Sequence, residues 1–181
     1  MFSRATPIFI SGTFVILAVL SLSGISAKAV DNTSVEADGV LPYVALKSGK
    51  DLESDSTQAR DKQVPVLLFF SMEHCPFCVT VEEDFLKPML RNSEYDSKVV
   101  IRKIKIDDNH FVKDFNGQSR DPGEFSEEYN VSMVPTLVLV NANGKMISPA
   151  IRGIRNTHYY SAELDDAIDA SILKIRALAK R

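Results

Sequence analysis

The sequence is poor in cysteine. Its 181 residues include only two, Cys75 and Cys78, which are separated by two residues. So close a pair cannot form a framework of long-range disulfides, and it therefore predicts a chemical site rather than structural crosslinking. Basic charge is also not in excess, because 21 lysines and arginines are balanced by 24 acidic residues, for a net charge of −3. This excludes the basic surface that nucleic acid requires, and we expect no nucleic-acid partner.

Glycine and proline are too scarce for a collagenous or low-complexity chain, at eight residues each. The composition is that of an ordinary globular protein with one main domain. We expect this domain to cover residues 64–181. Residues 30–63 are expected to form a leader and a peripheral segment. Within it, residues 40–46 suit a short strand or a turn of helix, and residues 50–63 suit a surface helix or loop.

The first 29 residues have the pattern of a secretory signal peptide. They contain no acidic residue, and an apolar stretch over residues 8–22 precedes Ala27-Lys28-Ala29. The pattern predicts cleavage after Ala29 and a periplasmic or secreted protein. The alternative is an uncleaved anchor, but the apolar stretch spans about 22 Å as a helix, whereas a hydrocarbon core measures roughly 30 Å. We therefore expect no stable membrane insertion after signal cleavage.

An unbroken apolar run over residues 64–70 is the first strong structural signal, and it predicts a strand buried on both faces. The cysteines follow this run. Apolar residues then recur every four positions, which predicts a helix with one buried side. We expect Cys75 to cap this helix, with Pro76 in its first turn and a kink at Pro88.

The remaining elements complete an α/β pattern. Residues 98–107 predict a second core strand, and residues 108–120 predict a long connection. Asp121 and the residues after it have the pattern of a capped helix, here a short one. A strand at 136–140 and a partner strand at 145–151 then follow.

A closing helix is expected after Ser161, with apolar residues along one side. The order of elements predicts a mixed central β-sheet flanked by helices on both faces.

The cysteine pair suggests thiol–disulfide exchange. Only the thiolate attacks a disulfide, and the start of a helix favours negative charge. Cys75 is expected to be the attacking thiol because it lies at the helix start. Cys78 lies one turn further on, and we expect it to resolve the mixed disulfide.

Four features placed along residues 64–180 define a pattern. They are the apolar strand leading into C-x-x-C, the helix proline Pro88, the segment Val134-Pro135-Thr136 before a strand, and the terminal strand–turn–strand–helix. Together they resemble the thioredoxin superfamily, and within it the exported thioredoxin-like proteins of bacteria such as those encoded with sulfur-oxidation systems. The resemblance implies a thioredoxin-like fold and a thiol:disulfide oxidoreductase. It implies no cofactor beyond the redox-active Cys75–Cys78 disulfide.

The resemblance also implies a substrate-binding segment. In the superfamily the proline before the last hairpin is cis and lies against the cysteine pair, and this role corresponds to Pro135. Val134 would then offer its backbone groups to an extended substrate, with Thr136 beside it.

Several residues depart from the superfamily pattern. Cytoplasmic thioredoxins have Trp-Cys-Gly-Pro-Cys, whereas this chain has His74-Cys75-Pro76-Phe77-Cys78 and no tryptophan. The buried acid of the superfamily corresponds to Phe69 here, and the lysine that neighbours this acid corresponds to Lys103. We expect Glu73 or a water molecule to accept the proton of the resolving thiol instead.

The direction of electron flow is expected to be reductive, with protein disulfides as substrates and a membrane thiol electron donor that restores the dithiol. A protonated His74 would favour oxidising behaviour and Glu73 would oppose it. The alternatives are a dithiol oxidase or isomerase of the same fold. A copper(I)-binding module is a further alternative, because Met72, His74, Cys75 and Cys78 are soft or borderline ligands. We predict no resident metal.

Overall fold

The computed structural model describes residues 41–180 of the chain. The predicted signal peptide and residues 30–40 of the predicted leader and peripheral segment lie outside the described residues. Within residues 41–180, no helix is long and apolar enough to cross a membrane.

A four-stranded mixed sheet with the order β2-β1-β5-β6 forms the centre of this unit. Strand β1 (Val66–Ser71) runs parallel to β2 (Val100–Lys105) and antiparallel to β5 (Thr136–Val140). The edge strand β6 (Ile151–Arg152) pairs antiparallel with β5. Every residue of β1 and β5 is buried, so the continuous apolar run does mark a central strand.

Helices cover both faces of the sheet. They are α1 (Leu52–Lys62), α2 (Pro76–Thr80), α3 (Lys87–Arg91), α4 (Pro122–Glu127) and α5 (Thr157–Ala179). Successive strand residues point to opposite faces. Phe69 accordingly packs into a core with Cys78 and α5, and Phe70 packs into a second core with α1 and α4. The predicted fold, a mixed sheet flanked by helices on both faces, is confirmed.

The helix that carries Cys78 is continuous over residues 76–91, and we call it the cysteine helix. Its middle, Val81–Leu86, is a π-helical turn in which the N–H of Lys87 donates to the carbonyl of Glu82, five residues earlier. Pro88 follows at the start of α3 and has no N–H to donate. The predicted kink near Pro88 therefore coincides with a widened helical turn.

The segment before α1 differs from the prediction. Residues 41–47 have no regular structure, so the predicted strand or turn of helix at 40–46 is wrong for its described part. Leu46 nevertheless packs against the core, and Ser48 forms a single parallel bridge to Lys103 of β2. Of the surface helix or loop predicted at residues 50–63, the structure has the helix, α1.

The connection at 108–120 contains a small β-hairpin that the sequence pattern did not predict. Its strands β3 (Val112–Lys113) and β4 (Ser119–Arg120) have two residues each, too short for an alternating pattern. The buried carboxylate of Asp114 organises the turn by accepting the N–H groups of Asn116 and Gln118 at 2.8 and 2.9 Å.

Two boundaries near the carboxyl end also differ. The partner strand predicted at 145–151 is reduced to a bridge at Met146 and the short β6, because Pro149 interrupts the segment and cannot donate to a ladder. The closing helix begins before Ser161. It starts at Thr157, where the side chain of Asn156 accepts the N–H of His158 at 2.9 Å.

Candidate active site

Cys75 occupies the cap position at the start of the cysteine helix, as predicted. Its backbone is extended, and Pro76 is the first helical residue. The Sγ atom of Cys75 accepts the N–H of Cys78 at 3.2 Å and is joined to Cys78 in a disulfide. Cys75 is partly exposed, whereas Cys78 is 4% exposed and belongs to the core. Only one of the two sulfurs is therefore open to another molecule.

The segment that delivers the chain to Cys75 is tied to the end of β2. The backbone N–H of Glu73 donates to Oδ2 of Asp107 at 2.9 Å. The carboxylate of Glu73 accepts from Nζ of Lys105 at 3.1 Å, and this hydrogen bond raises the pKa of Lys105. His74 then takes a left-handed conformation with φ of 54°, which turns the chain into the helix. These contacts hold Glu73, which precedes the turn, against the end of β2.

An open cleft of about 630 Å³ lies beside the disulfide. It is lined by Met72, Glu73, His74, Cys75, Pro76, Cys78, Val79, Glu82, Lys103 and Lys105. Of the predicted supporting residues, Glu73, His74, Pro76 and Lys103 line this cleft. Phe77 does not line it but is 66% exposed on the first turn of the helix.

Two ion pairs explain Lys103 and Lys105 of β2, which follow Ile101 on the face of the sheet that the cysteine helix covers. Lys103 lies 2.5 Å from Oε2 of Glu82 and 6.0 Å from the centre of the Phe69 ring. Lys105 pairs with Glu73. Glu82 was not among the site residues predicted from the sequence. Its position four residues after Cys78, on the same side of a helix, was the signal that could have found it.

The peptide bond between Val134 and Pro135 is cis. Val134 is partly buried and packs against the same core as Cys75. Its backbone N–H and C=O make no hydrogen bond to another backbone group within residues 41–180. The side chain of Thr136 is fully buried, and its hydroxyl donates to the carbonyl of Met133 at 2.7 Å. Thr136 therefore stabilises the bend, and its contact with a substrate stays a prediction.

The structure also places the long connection and the ligands of the alternative metal site. No residue of the connection at 108–120 lines the cleft at the disulfide. In the part of the chain that the structure describes, no three His, Cys, Asp or Glu side chains are grouped to hold a metal ion. The soft ligands Met72, His74, Cys75 and Cys78 do line one cleft, but the two sulfurs of the cysteines are bonded to each other.

A sequence model of a family described as "Thioredoxin-like domain" matches residues 52–168. The chain belongs to this thioredoxin-like domain family. The match begins at the first residue of α1 and ends within α5, so it includes the whole central sheet. With its C-x-x-C cysteine pair, this thioredoxin-like protein is a thiol–disulfide oxidoreductase. No curated protein matches the sequence.

Two solved thioredoxins are similar to part of this chain. The germline-specific thioredoxin Deadhead of Drosophila melanogaster is 20% identical, with a TM-score of 0.48, over 67% of this chain and 98% of that one. Thioredoxin of Fasciola hepatica is 15% identical, with a TM-score of 0.46, over 68% of this chain and 97% of that one.

Proposed function

We propose that this thioredoxin-like protein is an exported reductase of disulfides in client proteins, and that it acts through the Cys75–Cys78 dithiol. The observation that carries the proposal is the unequal exposure of two cysteines at the start of one helix. The exposed sulfur can reach a disulfide in another protein, and the buried sulfur can reach only its neighbour.

Cys75 is the attacking thiol in this proposal. Attack requires its sulfur as the thiolate, and negative charge is favoured at the amino end of the cysteine helix, where backbone N–H groups lack partners within the helix. The N–H of Cys78, which donates to this sulfur in the disulfide, is positioned to donate to the thiolate. Attack then forms a mixed disulfide with the client, and Cys78 resolves it.

The segment around Val134 and Pro135 is proposed to hold the client chain. Extended peptides bind by adding backbone hydrogen bonds to an exposed edge of a protein. The unpaired backbone groups of Val134, at the border of the core that also contacts Cys75, support this role. Thr136 contributes indirectly by bonding the preceding turn.

Export and the source of electrons complete the proposal. The signal-peptide pattern of residues 1–29 supports a periplasmic or secreted location, where disulfides form and persist. A reductase in such a compartment must be restored by a thiol donor, and we propose a membrane protein for this step. The sequence resembles exported thioredoxin-like proteins that are encoded with sulfur-oxidation systems, and this resemblance favours a similar role for this protein.

Trapping of the mixed disulfide tests the roles of the cysteines. We expect Cys75→Ser to abolish reduction of insulin disulfides and Cys78→Ser to accumulate a covalent complex with the client, because only the resolving step is lost. Non-reducing electrophoresis and mass spectrometry measure both results. Trapping by Cys75→Ser instead would reverse the assignment, and full activity of either variant would overturn the proposed function.

The reduction potential of the pair tests the direction of electron flow. Equilibration with glutathione should give a value near the roughly −270 mV of thioredoxin, as the resemblance of the sequence to exported reductants implies. A value near the roughly −120 mV of the strong periplasmic oxidant would show that the protein is an oxidase.

A further inference from the structure

The second step of the proposed reaction requires that Cys78 lose a proton. A thiol attacks a disulfide only as the thiolate. Cys78 is 4% exposed and packs among apolar side chains, so bulk water has little access to its sulfur. The face of β1 behind it offers Leu67 and Phe69, neither of which accepts a proton. The acceptor must therefore belong to the cleft on the other side of the sulfur.

Two carboxylates line that cleft, and they differ in position. Glu73 lies in the segment before Cys75, and its side chain is 62% exposed and pairs with Lys105. Glu82 lies four residues after Cys78 on the cysteine helix, and its side chain is 17% exposed and pairs with Lys103. Residues four apart on a helix are neighbours on one side of it. Glu82 is thus the more enclosed carboxylate and the one on the same helix side as Cys78.

We propose that Glu82 accepts the proton of Cys78 when the mixed disulfide is resolved. The proposal rests on the proposed function, because it assigns a role within the same dithiol reaction. It differs from the sequence-based expectation, in which Glu73 or a water molecule accepts this proton.

Atoms and electrons balance in this reaction. The Cys75 thiolate attacks the client disulfide, forms the Cys75–client bond and releases one client thiolate. The thiol proton of Cys78 moves to the carboxylate of Glu82, and the Cys78 sulfur attacks Cys75. The Cys75–Cys78 bond forms, the second client thiolate leaves, and Glu82 returns the proton to solvent or to that thiolate. Two electrons pass from the dithiol to the client.

Lys103 supports this transfer by its charge. While Glu82 is ionised, the ammonium group balances it at 2.5 Å. Once Glu82 is protonated, it no longer balances the ammonium group of Lys103. The thiolate formed on Cys78, which lines the same cleft, then carries the negative charge. The charge of the cleft is therefore constant during the transfer, which avoids the cost of creating a net charge beside the buried sulfur of Cys78.

Stoichiometric reaction of the reduced protein with dithiobis(nitrobenzoate) separates the two steps. The probe releases one coloured thiolate when Cys75 attacks and a second when Cys78 resolves the adduct, so stopped-flow absorbance resolves both rates. We expect Glu82→Gln to leave the first rate within about twofold and to slow the second about 100-fold, the lower end of what a general base supplies. Glu82→Asp keeps a carboxylate and should be slowed less than Glu82→Gln.

Glu83→Gln is the matched control. Glu83 is the next residue on the same helix, pairs with Lys87 and does not line the cleft, so both rates should be unchanged. The proposal is overturned if Glu82→Gln slows the second step by less than about tenfold, if Glu73→Gln slows it as much, or if Glu82→Asp is as slow as Glu82→Gln. A wild-type protein that releases no second thiolate would instead overturn the proposed function itself.

Discussion

Tyr129 and Tyr160 are both buried, but their hydroxyl groups have different surroundings. The hydroxyl of Tyr129 donates to the carbonyl of Gly144 at 3.0 Å. The hydroxyl of Tyr160 has no hydrogen-bond partner among residues 41–180, although its ring packs on Phe85 with 4.6 Å between centroids. A buried polar group without a partner costs free energy, and a paired one contributes a small net gain.

Replacing each tyrosine by phenylalanine should therefore have opposite effects on stability. We expect Tyr160→Phe to raise the free energy of unfolding by about 1 kcal/mol, because it removes only the unpaired hydroxyl. Tyr129→Phe should lower it by about 1–2 kcal/mol, because it also leaves the carbonyl of Gly144 unpaired. Urea denaturation of the oxidised proteins measures both, and loss of stability in Tyr160→Phe would contradict the first expectation.

Some residues of the site can be predicted from the sequence alone, and others cannot. Cys75, Cys78 and the cap position follow from their spacing and from Pro76, which are local features. Glu82 lies four residues after Cys78, but it was missed because its importance also depends on Lys103, which lies on strand β2. An ion pair between residues so far apart in the chain leaves no local pattern.

At the scale of elements, the segment between β1 and the cysteine helix is held by contacts to the end of β2. Asp107 accepts the N–H of Glu73, and Lys105 pairs with the Glu73 side chain. Parallel neighbouring strands bring their carboxyl ends to the same edge of the sheet, so the end of β2 can hold the segment after β1. The position of Cys75 thus depends on the register between these strands.

Removal of the Asp107 carboxylate should free this segment. We expect Asp107→Ala to speed hydrogen exchange of the Glu73 amide about tenfold, since a hydrogen bond to a charged group contributes about 1.5 kcal/mol. Asp108→Ala is the matched control, because Asp108 bonds His110 and not Glu73. Amide exchange followed by NMR measures the change, and equal rates in both variants would show that Asp107 does not hold the segment.

Elements with strong local patterns were predicted well, and short ones were not. The buried strand β1 and the helix capped at Asp121 follow from hydrophobic runs and cap residues. The hairpin of β3 and β4 depends on Asp114, whose carboxylate bonds two backbone N–H groups beyond it. A strand of two residues is too short to show an alternation of apolar and polar residues in the sequence.

At the scale of the whole molecule, three tyrosines couple stability to alkaline pH. Burial raises the pKa of Tyr129 and Tyr160, and a hydrogen bond to Asp165 is the main cause that raises the pKa of Tyr95 to about 12. The ordinary tyrosine pKa is about 10. Above that pH the unfolded chain loses tyrosine protons that the folded protein keeps, so the folded state is progressively disfavoured.

The free energy of unfolding should therefore fall as pH rises from about 10 to 12, with no tyrosine-dependent change below about 9. The raised lysine pKa values act in the same direction, at Lys87, Lys105 and Lys113. We expect Tyr95→Phe to reduce the slope, and Tyr159→Phe, with an exposed ring, to serve as the control. Urea denaturation at stepped pH values measures the slope, and a stability that is constant to pH 12 would contradict the expectation.

The order of the main elements, the capped cysteine at the helix start and the two-sided burial of the central strand follow from local sequence patterns. These depend on residues that are adjacent or one turn apart. Three features appear only in the folded protein: the face of the sheet that the cysteine helix covers, the carboxylates that share a cleft with Cys78, and the burial of Thr136. These depend on contacts between residues far apart in the chain, because strand register and helix packing bring such residues together.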